Sequence, residues 1–123
     1  MFIKENKLIT LSAQQIIDCS TDNGNNGCNG GDPIKSFQYL IKNGITKQDI
    51  YPYQGHNQSC AYKPSTKVWD INHCIAINPN NATLIKAGVN KQPLITTLKI
   101  NIPALKSYKT GILKAKDCGT SNL

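Results

Sequence analysis

Five cysteines (Cys19, Cys28, Cys60, Cys74 and Cys118) and two histidines (His56 and His73) are the side chains of this 123-residue chain best suited to nucleophilic or metal chemistry. A cysteine nucleophile needs an adjacent imidazole to take its proton. Cys74 follows His73 directly in a segment that reads as a strand, so the two side chains point to opposite faces. Structural zinc would call for a C-x-x-C pair or two closely spaced histidines, and neither occurs. No metal and no cofactor is therefore assigned. His56 and His73 are expected to be a loop and a strand residue without an ionic task. An odd cysteine count leaves at least one thiol unpaired within the chain.

Charge narrows the partners. The formal net charge is +7, and every cation is a lysine, because the chain contains no arginine. Nucleic-acid readers rely on the bidentate guanidinium for bases and phosphates. The lysines here are scattered from Lys4 to Lys116 without a dense block. A solvated lysine surface is expected, with no nucleic-acid partner. No stretch is long or apolar enough for a membrane span, and Met1-Phe2-Ile3-Lys4 does not open a signal peptide. Two sequons, Asn57-Gln58-Ser59 and Asn81-Ala82-Thr83, fit a secretory route.

Helices and strands alternate with turn-rich stretches. Leu11–Cys19 reads as a short helix, with Ser12 and Gln15 forming a capping box and Leu11, Ile16 and Ile17 on an apolar side. Asp22-Asn23-Gly24-Asn25-Asn26-Gly27 favours turns, because Asn and Gly tolerate positive φ. A second helix is predicted over Pro33–Asn43. Asp32 caps it, Pro33 takes the first position, Ile34, Phe37, Leu40 and Ile41 follow helical spacing, and Gly44 is a left-handed stop. Ile50–Gly55 should be extended and Lys67–Ile77 a strand. A third helix should run from Asn81 to about Val89, followed by strands at Pro93–Ile100 and Tyr108–Leu113. The first half is mainly helical and the second mainly strand, which makes an α+β chain.

Six segments in order resemble the papain-like cysteine peptidases. Leu11-Ser12-Ala13-Gln14-Gln15-Ile16-Ile17-Asp18-Cys19 is similar to that family's LSEQQLVDC run. Gly27-Cys28-Asn29-Gly30-Gly31 matches its GCNGG motif without a change, and Tyr51-Pro52-Tyr53 matches its YPY. Gln92-Pro93-Leu94 is similar to its QPV strand, Tyr108-Lys109-Thr110-Gly111-Ile112 to its YSGGI turn, and Cys118-Gly119-Thr120-Ser121 to the run before its catalytic histidine. The resemblance covers about Leu8 to Leu123.

It implies a partial two-lobed fold, with residues 1–74 the end of a helical lobe and 75–123 the start of a strand-rich one. It implies a Cys19–Cys60 disulfide and leaves Cys28 and Cys118 without their usual partners. Cys74, which has no family counterpart, is expected to be a buried thiol. The bare backbone of Gly30 and Gly31 would pair with an extended peptide, because a side chain there would block close approach. Pro33 and Thr97 would line the pocket for the second residue before the scissile bond.

The same resemblance places the chemistry elsewhere. The family's nucleophile lies in a C-G-[SA]-C-[WY] signature that would precede Met1, and its histidine would follow Leu123. Acyl transfer needs nucleophile, base, orienting group and oxyanion hole together, so no residue here is assigned a catalytic role. The implied function is that of a cysteine endopeptidase of which this chain alone is inactive. The alternatives are a non-catalytic peptide-binding or regulatory homologue, or a decayed or truncated gene product. The family implies a lysosomal, vacuolar or extracellular setting and a peptide or protein substrate. Marginal stability with exposed apolar surface is expected, because the family's central helix would cover both predicted helices.

Overall fold

The computed structural model describes residues 6, 8–79, 81–97 and 106–112. The chain divides into two units, up to Pro93 and from Leu94 onward.

Among the described residues the first unit holds three α-helices: α1 (Ala13–Cys19), α2 (Pro33–Asn43) and α3 (Ala82–Val89). Each begins at a side-chain cap. Ser12 Oγ accepts the Gln15 N–H at 3.0 Å, Asp32 Oδ1 accepts from Ile34 N at 2.7 Å, and Asn81 Oδ1 accepts from Leu84 N at 3.0 Å. These bonds satisfy amides that the first helical turn leaves without partners. α2 ends where predicted. Gly44 has φ +74 and its N–H returns to the Leu40 carbonyl, but ψ is −169, outside the left-handed helical region. A Cβ on Gly44 would lie 2.8 Å from the Trp69 carbonyl oxygen, so this glycine also admits the neighbouring backbone.

That neighbour supplies what little pairing there is. Ile45 bridges Trp69 and Lys47 bridges Leu11, both antiparallel. Ile45 N donates to Trp69 O at 2.8 Å, and Ser12 N to Thr46 O at 3.0 Å. The strand predicted over Lys67–Ile77 forms only this bridge at Trp69. A strand persists only where a neighbour takes its N–H and C=O groups, and residues 71–79 carry no strand or bridge among the described residues. Ile50–Gly55 likewise forms no strand. Ile50 N and Tyr51 N both turn back to the Lys47 carbonyl.

Burial around α1 reverses the expected side. Leu11, Ile16 and Ile17 are only half-buried, whereas Gln14, Gln15 and Asp18 are buried. Gln15 completes only half of a capping box. Its amide instead donates to Tyr39 Oη (2.9 Å) and the Gly44 carbonyl (3.0 Å), and accepts from Thr46 N (2.8 Å). Gln14 Nε2 reaches Asp18 Oδ1 and the His56 carbonyl, while its Oε1 takes Gln54 N. Asp18 takes Gln58 N and the Tyr51 hydroxyl. No buried side-chain polar atom among the described residues lacks a partner. Among the described residues the buried apolar side chains are few: Cys19, Tyr39 and Tyr51 form a cluster with Leu40 and Tyr62 packed against it, and Ile45 is buried as well.

The apolar stripe of α2 faces open space. Phe37 and Leu40 line a cavity of about 240 Å³ with Leu11, Ile45, Trp69 and Ile71. Ile34, Leu84, Ile85 and Val89 are exposed, in line with the expectation of uncovered apolar surface. In the second unit, residues 94–97 form no regular element. Residues 98–100 of the strand predicted over Pro93–Ile100 lie outside the described residues. Tyr108 to Ile112 makes a turn, not a strand: Gly111 has φ +92 and its carbonyl accepts from the Tyr108 hydroxyl. Leu113 lies outside the described residues.

The tyrosines give the first unit a pH dependence. Burial pushes the phenols of Tyr39, Tyr51 and Tyr62 above their ordinary value of 10.0, and the neighbouring Asp18 carboxylate raises Tyr51 further. The folded chain therefore holds protons that the unfolded chain releases. This stabilisation is complete below pH 10.0 and is lost as pH rises through the raised folded values. Phenolate absorbance and far-ultraviolet circular dichroism, followed together, should show ionisation of these tyrosines coinciding with alkaline unfolding.

Candidate functional site

The GCNGG segment leaves α1 through two short 3-10 turns, Thr21–Asn23 and Gly27–Asn29, and enters α2 at Asp32. Its two glycines behave differently. Gly30 has φ +113, a conformation open to glycine, and a Cβ built on it would meet nothing within 4 Å. Its carbonyl turns back to accept from Asn26 N at 2.9 Å. Gly31 is exposed. A Cβ there would lie 2.7 Å from Asn25 Oδ1 and 2.9 Å from Asn25 Cγ, so the missing side chain makes room for an asparagine amide. Neither the N–H nor the C=O of Gly31 has a hydrogen-bond partner among the described residues.

Two asparagines hold this segment. Asn25 Oδ1 accepts from Asp32 N at 2.8 Å, and its Nδ2 donates to Ser20 Oγ at 2.8 Å and Ser36 Oγ at 3.0 Å. Asn57 Oδ1, from the far side of the disulfide loop, accepts from Cys28 N at 2.7 Å. Neither role was visible in the sequence, where Asn25 sat in a turn-prone run and Asn57 in a sequon. The one available signal was the glycine pair itself, because a glycine without positive φ implies something packed where its side chain would be.

Pro33, the first residue of α2, is half-buried next to this edge. Thr97 belongs to the second unit and is exposed, its carbonyl accepting from Thr96 Oγ1 at 3.4 Å. Gly30, Gly31 and Pro33 are thus neighbours on one loop and helix start, and Thr97 is described apart from them.

Cys19 and Cys60 form the disulfide that the resemblance implied, with Cα atoms 4.8 Å apart. Cys28 is free and exposed. Cys74 is free as well, but exposed where a buried thiol was expected, because no described residue packs over the segment around it. Cys118 lies outside the described residues. His73 is exposed. His56 turns its ring to the Gln54 carbonyl and the Gln58 amide, at 3.1 and 3.3 Å. Among the described residues, no group of three or more His, Cys, Asp and Glu side chains could hold a metal ion.

The Cys19–Cys60 cross-link is the part of the papain-like resemblance that the geometry reproduces. The family described as papain family cysteine protease matches residues 1–123, and the chain belongs to that family. Its particular relatives are of the cathepsin type. Procathepsin L of Rattus norvegicus is 36% identical over 124 residues, covering 100% of this chain and 37% of the relative. Cathepsin L2 of Homo sapiens is 34% identical over 125 residues, with 100% and 37% covered. Cysteine proteinase 6 of Dictyostelium discoideum is 30% identical over 120 residues, with 97% and 28% covered. The chain therefore spans little more than a third of the length of the curated relatives it matches. Among solved structures, digestive procathepsin L 3 of the Tenebrio molitor larval midgut superposes with a TM-score of 0.56 at 34% identity, over 58% of this chain and 23% of that one.

Proposed function

We propose that this chain is the substrate-binding wall of a cysteine endopeptidase and hydrolyses no peptide bond by itself. The observation that carries the proposal is Gly31, an exposed residue whose N–H and C=O have no hydrogen-bond partner among the described residues. A residue that exchanges its N–H and C=O with one residue of an extended partner makes the hydrogen-bonded pair of an antiparallel ladder. Peptide backbone is the matching ligand, and pockets beside the ladder read its side chains. On this proposal Pro33 lines the pocket for the second residue before the scissile bond, and peptides or proteins are the partners. Residues 1–74 belong to the helical lobe and 75–123 to the strand-rich lobe. Two sequons and a disulfide agree with a lysosomal, vacuolar or extracellular setting.

Sequencing the transcript across both ends of the reading frame tests the catalytic half of the proposal. Codons for a Q-x-x-x-C-G-x-C-W-like run upstream and an N-H-A-like run downstream are the expected result. Stop codons or unrelated sequence on both sides would leave a non-catalytic peptide binder or a decayed product. Titration with a blocked, extended tripeptide tests the binding half. Gly31→Ala displaces the Asn25 amide and is expected to weaken binding about tenfold, or about 1.4 kcal/mol. Equal affinity in parent and variant would remove Gly31 from the site.

A further inference from the structure

We infer that Asn25 is the positioning residue of the peptide-binding edge: its amide is the platform that turns both backbone groups of Gly31 outward. The inference rests on the proposed peptide-binding reading and adds to it the device that holds the edge. Three bonds fix the plane of that amide. Nδ2 spends its two protons on Ser20 Oγ, just beyond α1, and on Ser36 Oγ, in the first turn of α2. Oδ1 takes the N–H of Asp32, the residue that follows Gly31. Nothing in the amide is left free to rotate towards solvent or ligand. Gly31 then lies against it so closely that a methyl group would meet Oδ1 and Cγ below 3.0 Å.

Orientation follows from this anchoring. The Asp32 N–H and the Gly30 carbonyl on either side of Gly31 are both consumed inward, by Asn25 Oδ1 and Asn26 N. The Gly31 N–H and C=O between them stay outward. A loop with five asparagines and glycines in a row would otherwise sample many conformers, and binding would have to order it first, at a cost in affinity. Asn25 has removed that cost beforehand. It touches no ligand on this account, so it positions and does not catalyse.

The other polar groups around Asn25 make a graded test possible. Ser20 Oγ also donates to the Ile16 carbonyl at 2.6 Å, and Ser36 Oγ to the Asp32 carbonyl at 3.2 Å. In Asn25→Asp the Oδ1 acceptor for Asp32 N is kept. The Ser36 hydroxyl, whose present bond is long, can rotate to donate to the new oxygen. Asn25→Ala has no such recourse. Backbone relaxation of the Gly31 amide, measured in the whole chain with and without the blocked tripeptide, reads positioning directly. In the parent the order parameter should be that of rigid backbone, about 0.85, and in Asn25→Ala that of a flexible loop, below about 0.6. Peptide affinity should fall about tenfold or more in Asn25→Ala and by less than about threefold in Asn25→Asp. Should Asn25→Ala not fold, Ser36→Ala removes a single anchor and should loosen Gly31 to an intermediate degree.

An unchanged Gly31 order parameter in Asn25→Ala or Ser36→Ala would overturn the inference. So would a lowered melting temperature with unchanged affinity of the folded molecules, the mark of a residue that is only structural. If the parent binds no peptide at all, the peptide-binding reading fails on that arm, while the relaxation arm still decides whether Asn25 orders the edge.

Discussion

Cys60→Ser is expected to lower the free energy of unfolding by about 4 kcal/mol, the chain-entropy value for opening a loop of this size. The cross-link joins residues 41 apart in sequence. Its two ends are not equivalent. Cys19 is buried with Tyr39 and Tyr51, so changing it would also disturb the apolar core. Cys60 is exposed, and serine in its place leaves that packing intact. Cys28 and Cys74 are exposed free thiols that could exchange with a liberated Cys19. The comparison therefore belongs in a background where both are serine. Urea unfolding followed by Trp69 fluorescence gives the difference, and reduction of the parent by dithiothreitol should reproduce it. A loss below about 1 kcal/mol would mean that the hydrogen bonds from α1 hold the 54–60 segment without the covalent link.

Such a large share for one bond follows from how few apolar residues are buried. Among the described residues the buried apolar side chains of the first unit are a cysteine, two tyrosines and Ile45, and the apolar stripe of α2 faces a cavity. Stability then rests on the disulfide and on the polar network of α1. The same arrangement fixes the far support of the candidate site. Asn57, which holds Cys28 N, lies within the segment that Cys60 closes, so opening the disulfide should also loosen the glycine edge.

What was legible in the sequence was what is decided locally. The bounds of α2 follow from Asp32, Pro33 and Gly44, because a cap needs only residues within one turn, whereas α1 starts at Ala13, two residues after the expected Leu11, and α3 at Ala82, one after the expected Asn81. Strands were overcalled at Lys67–Ile77 because β-branched and aromatic content says a segment can pair, not that a neighbour is present to pair with it. The buried side of α1 was misread for a related reason. Apolar spacing pointed to Leu11, Ile16 and Ile17, yet Gln14, Gln15 and Asp18 are buried, since partners about 40 positions away (Gln54, His56 and Gln58) satisfy Gln14 and Asp18. Gly30, Gly31 and the Cys19–Cys60 pair came from motif resemblance. Asn25, which acts through side-chain geometry in a run of similar residues, was out of reach until coordinates placed its amide.

Asp18→Ala should cost about 3 kcal/mol, and Asp18→Asn about 1 kcal/mol, because the two variants leave different numbers of buried groups without partners. The Asp18 carboxylate is 5% exposed and accepts three bonds: from Gln14 Nε2 and Gln58 N at Oδ1, and from the Tyr51 hydroxyl at Oδ2, each at 2.9 Å. In the alanine variant Gln14 keeps the His56 carbonyl, while Gln58 N and the Tyr51 hydroxyl lose their acceptor. In the asparagine variant Oδ1 still serves Gln14 and Gln58. Its Nδ2 would face the Tyr51 oxygen, which already accepts from Ala61 N at 3.1 Å, so only the phenolic proton loses its acceptor. Denaturant midpoints of the two variants should therefore separate clearly. Asp18 and Cys60 also restrain the same 54–60 segment, by hydrogen bond and by covalent bond. Each loss should thus leave less for the other to remove, and a double-mutant cycle of Asp18→Ala with Cys60→Ser should be non-additive by about 1 kcal/mol or more. Strict additivity would show that the polar network and the disulfide stabilise separate parts of the unit, and that the Gln58 N–H is served equally well by water.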